Sequence, residues 1–277
     1  MGMTTTVAVI MTSHNRRALT IQSVRAILDE ATDDIRIKIY ATDDGSVDGT
    51  AEALRSLDDR IEVLAGDGNL YWAAGMALAE RRAVLESPDY LLWLNDDTVV
   101  DDGALDVMLA VARSLAGAIV VGATRDPLSG EVTYGARLRV SRWHPQRLVG
   151  LPASSQIQVA DSFNGNLVLV PWQTRRRVGP IDDLFPHAYA DDDYGLRAVA
   201  LGVTVVQAPG TLAVCERGPA RLPAATGPRR WLDQQNPKGL PLRAQYRFMR
   251  RHAGRAWPLV LAGQQLSWLV RRPRTAR

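Results

Sequence analysis

Residues 7–46 run VAVIMTSHNRRALTIQSVRAILDEATDDIRIKIYATDDGS. VAVIMTSH is a short apolar run that reads as a strand, and IRIKIYATDD alternates strictly before it enters a turn. Between them, from Arg17 to Leu28, apolar side chains at Ala18, Leu19, Ile21, Val24, Ala26, Ile27 and Leu28 follow a roughly helical spacing. The alternation then repeats: Gly49 to Leu57 reads as a helix, IEVLAG as a third strand, Tyr71 to Leu85 as a helix and YLLWLNDD as a fourth strand. Elements in this order predict an α/β fold with a mostly parallel central sheet flanked by helices on both faces. Beyond Val100 the pattern loosens. Gly103 to Leu115 reads as a helix, AIVVGA as a strand, and Arg125 to Gln158 as loops or hairpins; NLVLVP, a helix from Asp191 to Leu201 and the strand VTVVQAPG follow.

In such a sheet, ligands gather at the carboxyl ends of the strands, and there the chain places its polar groups. Thr12, Ser13, His14 and Asn15 follow the first strand, Asp43, Asp44, Gly45 and Ser46 the second, Gly66 to Asn69 the third, and Asn95 to Asp97 the fourth. Each loop alone also reads as an ordinary turn or helix cap, as Asp48-Gly49-Thr50 does ahead of the second helix. Four such loops on one edge read as a site. LLWLNDDTVV (residues 91–100) poses a specific question. Adjacent carboxylates repel and resist desolvation unless something positive stands beside or between them. A divalent cation is one answer and solvent is the other.

At 277 residues the chain can bury a sizeable core, and 46% hydrophobic with 23% charged residues argues against wholesale disorder. The single cysteine, Cys215, excludes an intrachain disulfide and a zinc cage built from cysteines alone, and suits a reducing, cytoplasmic compartment. The N-terminal apolar run is too short for a secretory core, and no stretch reaches the length of a spanning helix. The net charge of +3 is unevenly spread, with most carboxylates in the first two hundred residues and an Arg-rich segment from Arg217 to Arg277.

Taken together, VAVIMTSHNR, YATDDGSVDGT, GDGNLYWAAGMALA, LLWLNDDT and HAYADDDYGLRAVALG resemble, in order and approximate spacing, the family-two glycosyltransferases, inverting enzymes of the GT-A (nucleotide-diphospho-sugar transferase) fold. The resemblance covers about Thr5 to Gly210 and is nearest in flavour to the bacterial rhamnosyltransferase-like branch of cell-surface polysaccharide assembly. It implies that Asp43 receives the nucleobase, that Asp44 supports the same loop, and that Thr12 and His14 line the nucleoside pocket. Gly68, Asn69 and Trp72 are placed near the nucleotide or sugar. Asp97 becomes a ligand of Mg²⁺ or Mn²⁺, with Asp96 at the ribose or in the metal's water shell. Asn95 departs from the family's motif, which usually has an aspartate there, and keeps only the hydrogen-bonding capacity of an amide.

An inverting transfer also needs a general base for the acceptor hydroxyl. Alignment on the Leu-Arg of YADDDYGLRA assigns Asp191 to that role, with Ala190 where the family usually has Glu. Asp193 is expected to cap or orient the helix, and the dipole of a helix N-terminus by itself favours all three acids. Asn164, Gly165 and Asn166 resemble the loop at the sugar and acceptor site, and His187 stands beside the acidic triplet as an acceptor contact or loop filler. Many relatives carry a metal-binding His after the strand equivalent to VTVVQAPG; here AVCERG offers only Cys215 and Glu216, and the ligand stays unassigned.

The expected organisation is a catalytic domain over residues 1–216 and a basic helical extension over 217–277. Arg clusters with Phe248, Trp257 and Trp268 in that extension suit either an anionic membrane interface or packing on the catalytic domain. The expected partners are a nucleotide-diphospho-sugar donor, with dTDP-rhamnose or a UDP-hexose favoured, and a glycan or polyprenyl-lipid-linked acceptor. No nucleic acid is expected, since no recognised binding module is present. Two alternatives remain: a sugar nucleotidyltransferase, which the missing Gly-rich loop after the first strand disfavours, and a non-catalytic sugar-nucleotide or lipid-binding protein. A dinucleotide oxidoreductase is weaker still, for no G-x-G-x-x-G follows the first strand.

Overall fold

The computed structural model describes residues 4–141, 143–186, 188–218, 232, 235–236 and 240–270. Its centre is an eight-stranded sheet in the order β10-β13-β6-β12-β4-β1-β2-β3, with β10 (Gln158–Ala160) at one edge. The strands that carry the site are β1 (Thr5–Ser13), β2 (Ile35–Asp43), β3 (Ile61–Ala65), β4 (Tyr90–Leu94), β6 (Ile119–Val121), β12 (Leu167–Pro171) and β13 (Val205–Gln207). The β3-β2-β1-β4 half is parallel throughout.

Helices cover both faces because the strands are apolar on both faces. Along β1, Ala8 and Ile10 point into one core and Val7, Val9 and Met11 into the other; along β4, Leu91 and Trp93 oppose Leu92 and Leu94 in the same way. That period of two with no polar face is what a doubly covered parallel sheet requires. Helices α1 (Arg17–Asp29), α2 (Thr50–Leu57) and α4 (Ala104–Ser114) close one side through Val24, Ile27, Leu54, Leu105 and Met108. The other side is closed by α3 (Tyr71–Ala83) and α6 (Ala190–Ala200) through Ala73, Met76 and Tyr194.

The sheet is mostly parallel, as the periodicity predicts, with two antiparallel strands, of which β12 matters for function. After β6 the chain passes through hairpin strands and the edge strand β10 before it returns to the centre of the sheet as β12, which runs antiparallel to both β4 and β6. Its register pairs Leu167 with Leu94. The start of β12 therefore lies at the end of β4, and Asn164 to Asn166 arrive beside Asn95.

Two C-terminal helices follow, here α7 (Leu242–His252) and α8 (Trp257–Val270). Phe248 of α7 is buried against Phe185 and stacks on Tyr189 with ring centroids 4.7 Å apart. It therefore packs inward and cannot belong to an exposed interfacial face. Trp257, by contrast, meets Tyr246 edge-on at 5.1 Å nearer the surface. Among the described residues no helix is long and apolar enough to cross a membrane.

Candidate active site

The four loops named from sequence do converge at the carboxyl edge of the parallel half. Backbone strain is found there too: of the four described non-glycine residues with positive φ, Asn15 and Tyr71 lie in or beside these loops, while Tyr189 precedes α6 and Ser87 lies elsewhere. Such conformations persist only where surrounding structure over-determines them.

Asp43 and Asp44 are both buried yet differ in use. Asp44 is consumed by backbone donors: its Oδ1 accepts from Gly68 N at 2.8 Å and Leu70 N at 3.2 Å, its Oδ2 from Tyr71 N at 3.0 Å. It holds the loop that starts α3. The same packing requires glycine at 45, where φ is +68° and an added Cβ would stand 2.9 Å from Gly68 N. Asp43 receives only Ser46 N at 3.2 Å on Oδ2, and its buried Oδ1 has no partner among the described residues. An orphaned carboxylate oxygen is costly to bury without a donor.

His14 Nδ1 lies 2.5 Å from the carbonyl of Asp44, so the ring is tied to the second loop. The Thr12 side chain fills the space above Gly75, where a Cβ would come within 2.2 Å of its Oγ1. Asn69 is exposed and turns on Asp67 through a 2.8 Å bond.

The acidic pair is answered by a residue that the sequence reading passed over. Arg16 Nη1 lies 2.7 Å from Asp97 Oδ2 and 3.3 Å from Asp96 Oδ1. The positive group beside the two carboxylates is a guanidinium from the first loop, eighty positions upstream of Asp96. Burial, followed by the charge of Asp97, pushes the Asp96 carboxyl up to about 6, while Arg16 pulls the other way. The signal available in sequence was the basic pair Arg16-Arg17 in the loop next to an acidic one.

Asn95 links this pair to the rest of the edge. Its Oδ1 accepts from Trp72 Nε1 at 2.8 Å, and its backbone N donates to Asn166 O at 3.0 Å. Trp72 in turn packs edge-on to Trp93 at 6.0 Å and leaves no room for a side chain at Gly165. Gly165 N donates to Asp191 Oδ2 at 3.2 Å. One connected run of contacts, Asn95, Trp72, Gly165 and Asp191, thus joins the end of β4 to the start of α6. Helix α6 is seated by Tyr194, whose ring meets Trp93 at 4.9 Å.

The three acids of α6 have different partners. Asp191 is half-buried at the site edge. Asp192 is gripped by Arg137 Nη1 at 2.8 Å on both oxygens, and its carboxyl is raised by burial and then by the charge of Asp191, against the pull of Arg137. Asp193 does not cap the helix. It is fully buried among Arg197 at 2.8 Å, Arg251 at 2.5 Å and His252 at 2.9 Å, so it anchors α7 to α6. Only the tertiary fold could supply the last two partners. His187 lies outside the described residues.

Cys215 follows the short strand β14 (Ala213–Val214) and places its thiol 3.6 Å from Asp97 Oδ1 and from Asn166 Nδ2. Burial, then the charge of Asp97, pushes this thiol up to about 12, so it is protonated. Among the described residues no group of three or more His, Cys, Asp and Glu side chains forms a complete protein cage for a metal.

Comparison with known proteins agrees with this architecture. The family described as glycosyl transferase family 2 matches residues 8–166, more than half of the chain. No curated protein matches the whole sequence at a significant level. Among solved structures, the chain is similar to the mannosyltransferase PcManGT from Pyrobaculum calidifontis, in complex with GDP-Man and Mn²⁺, with a TM-score of 0.56 at 16% identity over 94% of this chain and 74% of that one. The likeness establishes a shared GT-A fold. Carrying the family's sequence from the first buried strand through the loop at Asn166, this chain belongs to glycosyl transferase family 2 and is a glycosyltransferase.

Proposed function

We propose that the chain transfers a sugar from a nucleoside-diphosphate donor to an acceptor hydroxyl with inversion at the anomeric carbon. What carries this reading is the run Asn95, Trp72, Gly165 and Asp191, which sets a carboxylate suited to proton abstraction on the same edge as the acidic pair. Asp43 Oδ1, buried and without a partner among the described residues, is an acceptor suited to a nucleobase N–H. Uracil and thymine each offer one at N3, so dTDP-rhamnose or a UDP-hexose would suit it as donor. Asp44 and His14 hold the loops that shape this pocket, and Thr12, Gly68, Asn69 and Trp72 line its continuation. The Asn95 amide, with its oxygen engaged by Trp72, keeps its NH₂ for a ribose or phosphate oxygen.

Asp96 and Asp97 converge closely enough for one positive group, Arg16 Nη1, to reach both, and would hold a divalent cation in the same way. Mg²⁺ or Mn²⁺ there needs only one or two carboxylates, because it takes its remaining ligands from water and the diphosphate. When bound it would neutralise the charge on the departing diphosphate. Asp191 takes the proton as the acceptor oxygen forms its bond to the anomeric carbon and the bond to the diphosphate breaks. Asn164, Gly165, Asn166 and His187 would contact the sugar or acceptor. The catalytic unit spans residues 1–216, with 217–277 as a basic extension. Arg243 and Arg250 have no carboxylate partner among the described residues and line one cleft with Leu184 and Tyr246. That charge suits an anionic membrane surface carrying a lipid-linked acceptor.

Calorimetric titration with UDP, dTDP, GDP and CDP, each with Mn²⁺ and again with EDTA, tests the reading. Binding of one nucleotide that needs metal and is lost in Asp97→Asn is expected; no binding of any sinks it. Asp191→Asn should lower turnover by roughly 10²–10⁴-fold with donor affinity unchanged, and retained turnover removes Asp191 from the role of base.

A further inference from the structure

Arg16 is the only described Lys or Arg in contact with the acidic pair, and it bridges both acids from a half-exposed position. A bidentate guanidinium meets one carboxylate with two parallel N–H···O bonds, as Arg60 meets Asp58. Here a single nitrogen, Nη1, reaches across two different carboxylates at 2.7 and 3.3 Å, as a point charge would. The side chain is 49% exposed, whereas those of Asp96 and Asp97 are 12% and 29% exposed. The backbone below it is fixed, because Arg16 O accepts from Thr20 N at 3.0 Å and from Thr20 Oγ1 at 2.9 Å. An anchored residue with a half-exposed, singly bonded side chain can change partner without moving its helix.

A cation held by Asp96 and Asp97 would compete with Arg16 for the same two carboxylates. Building on the function proposed above, we propose that Arg16 is a placeholder for the cation: it neutralises Asp96 and Asp97 in the empty site and passes to the diphosphate when cation and donor bind. The diphosphate that such a cation would hold is a second anion for the half-exposed Arg16 guanidinium to meet. Arg16 is then a positioning residue for the donor, and it couples the two ligands. Cation alone must displace the guanidinium with nothing to receive it. Cation with a nucleoside diphosphate gives the guanidinium a better partner, because arginine matches phosphate geometry. The two ligands should therefore bind cooperatively, each raising the affinity of the other by the same factor.

The test is a Mn²⁺ titration followed by electron paramagnetic resonance, on the full chain, without nucleotide and then with each of UDP, dTDP, GDP and CDP. Arg16→Gln should bind Mn²⁺ alone about fivefold more tightly than the wild type, the scale of a half-exposed ion pair. It should also lose most of the mutual enhancement between Mn²⁺ and the nucleotide. Arg16→Lys, which keeps the charge, should stay near the wild type for Mn²⁺ alone. Unchanged or weaker Mn²⁺ binding by Arg16→Gln, in protein whose circular dichroism matches the wild type, overturns the placeholder while leaving the cation site intact. If wild type and Arg16→Gln both fail to bind Mn²⁺ even with every nucleotide, the cation reading itself falls, and the placeholder with it.

Discussion

Gly165→Ala isolates the joint between the two halves of the candidate site. An alanine Cβ at this position would stand 2.5 Å from Trp72 Cζ2 and 2.7 Å from Cη2, with Asp191 Cβ at 3.5 Å on its other side. Gly165 is not among the residues with positive φ, so the backbone accepts alanine and the whole effect lies in the contact. Ordinary contact begins near 3.4 Å, so the indole must retreat by about 0.9 Å. It cannot do so while its Nε1 keeps the 2.8 Å bond to Asn95 and its edge stays against Trp93. Overpacking of this kind costs about 1–3 kcal/mol, and the lost hydrogen bond adds about 0.5–1.5. Stiffening of the unfolded chain by alanine returns about 0.4–1. The net expectation is a loss of about 0.5–4 kcal/mol in urea unfolding, accompanied by weaker nucleotide binding, since Asn95 is released. Gly150→Ala is the control, because nothing lies within 4 Å of its Cβ. In a Trp72→Ala background the penalty of Gly165→Ala should vanish. A Gly165→Ala protein as stable as the Gly150→Ala control, or a penalty that persists without Trp72, refutes the reasoning.

Asp193→Asn should lower stability by about 3 kcal/mol, the low end for stranding buried charges, because Arg251 is 32% exposed and can rehydrate. Burial pushes the Asp193 carboxyl up, but the hydrogen bond from His252 and the charges of Arg197 and Arg251 outweigh it and hold the group below its ordinary value. A depressed carboxyl contributes stability above its unfolded pKa of about 4 and loses it as pH falls through the folded value. The gap between wild type and Asp193→Asn should therefore narrow below about pH 4, and a gap constant down to pH 3 contradicts the assignment. For the extension, Arg243→Gln with Arg250→Gln should reduce partition onto anionic vesicles about thirtyfold, at about 1 kcal/mol for each arginine, with no change on zwitterionic ones. Equal sedimentation of both proteins with anionic vesicles counts against the membrane reading.

Local sequence was sufficient for the architecture around β1 to β4, because a doubly buried strand and an amphipathic helix are written in the spacing of neighbouring residues. Val7 to Met11, Val24 to Leu28 and Leu91 to Leu94 each state their element and their cores without reference to anything distant. The carboxyl-edge rule then located Asp43, Asp44 and the Asn95 to Asp97 run. The five motifs in order pointed to the family that the comparison establishes. Sequence also posed a sound question at LLWLNDDTVV: two adjacent acids require a partner.

Tertiary structure alone named that partner. Arg16 meets Asp97 across 81 positions because parallel β1 and β4 are adjacent in the sheet, a pairing that no local period encodes. The antiparallel return of β12 likewise brought Asn166 to Asn95, and strand direction is invisible in an apolar run such as NLVLVP. Asp43 and Asp44 are neighbours of identical chemistry, yet one is saturated by the backbone of Gly68, Leu70 and Tyr71 and the other keeps a bare oxygen. Asp193 anchors a helix through Arg251, 58 positions away. Periodicity reports which face of an element is buried, whereas the partner of a polar group depends on which distant segment the packed chain brings within 3 Å.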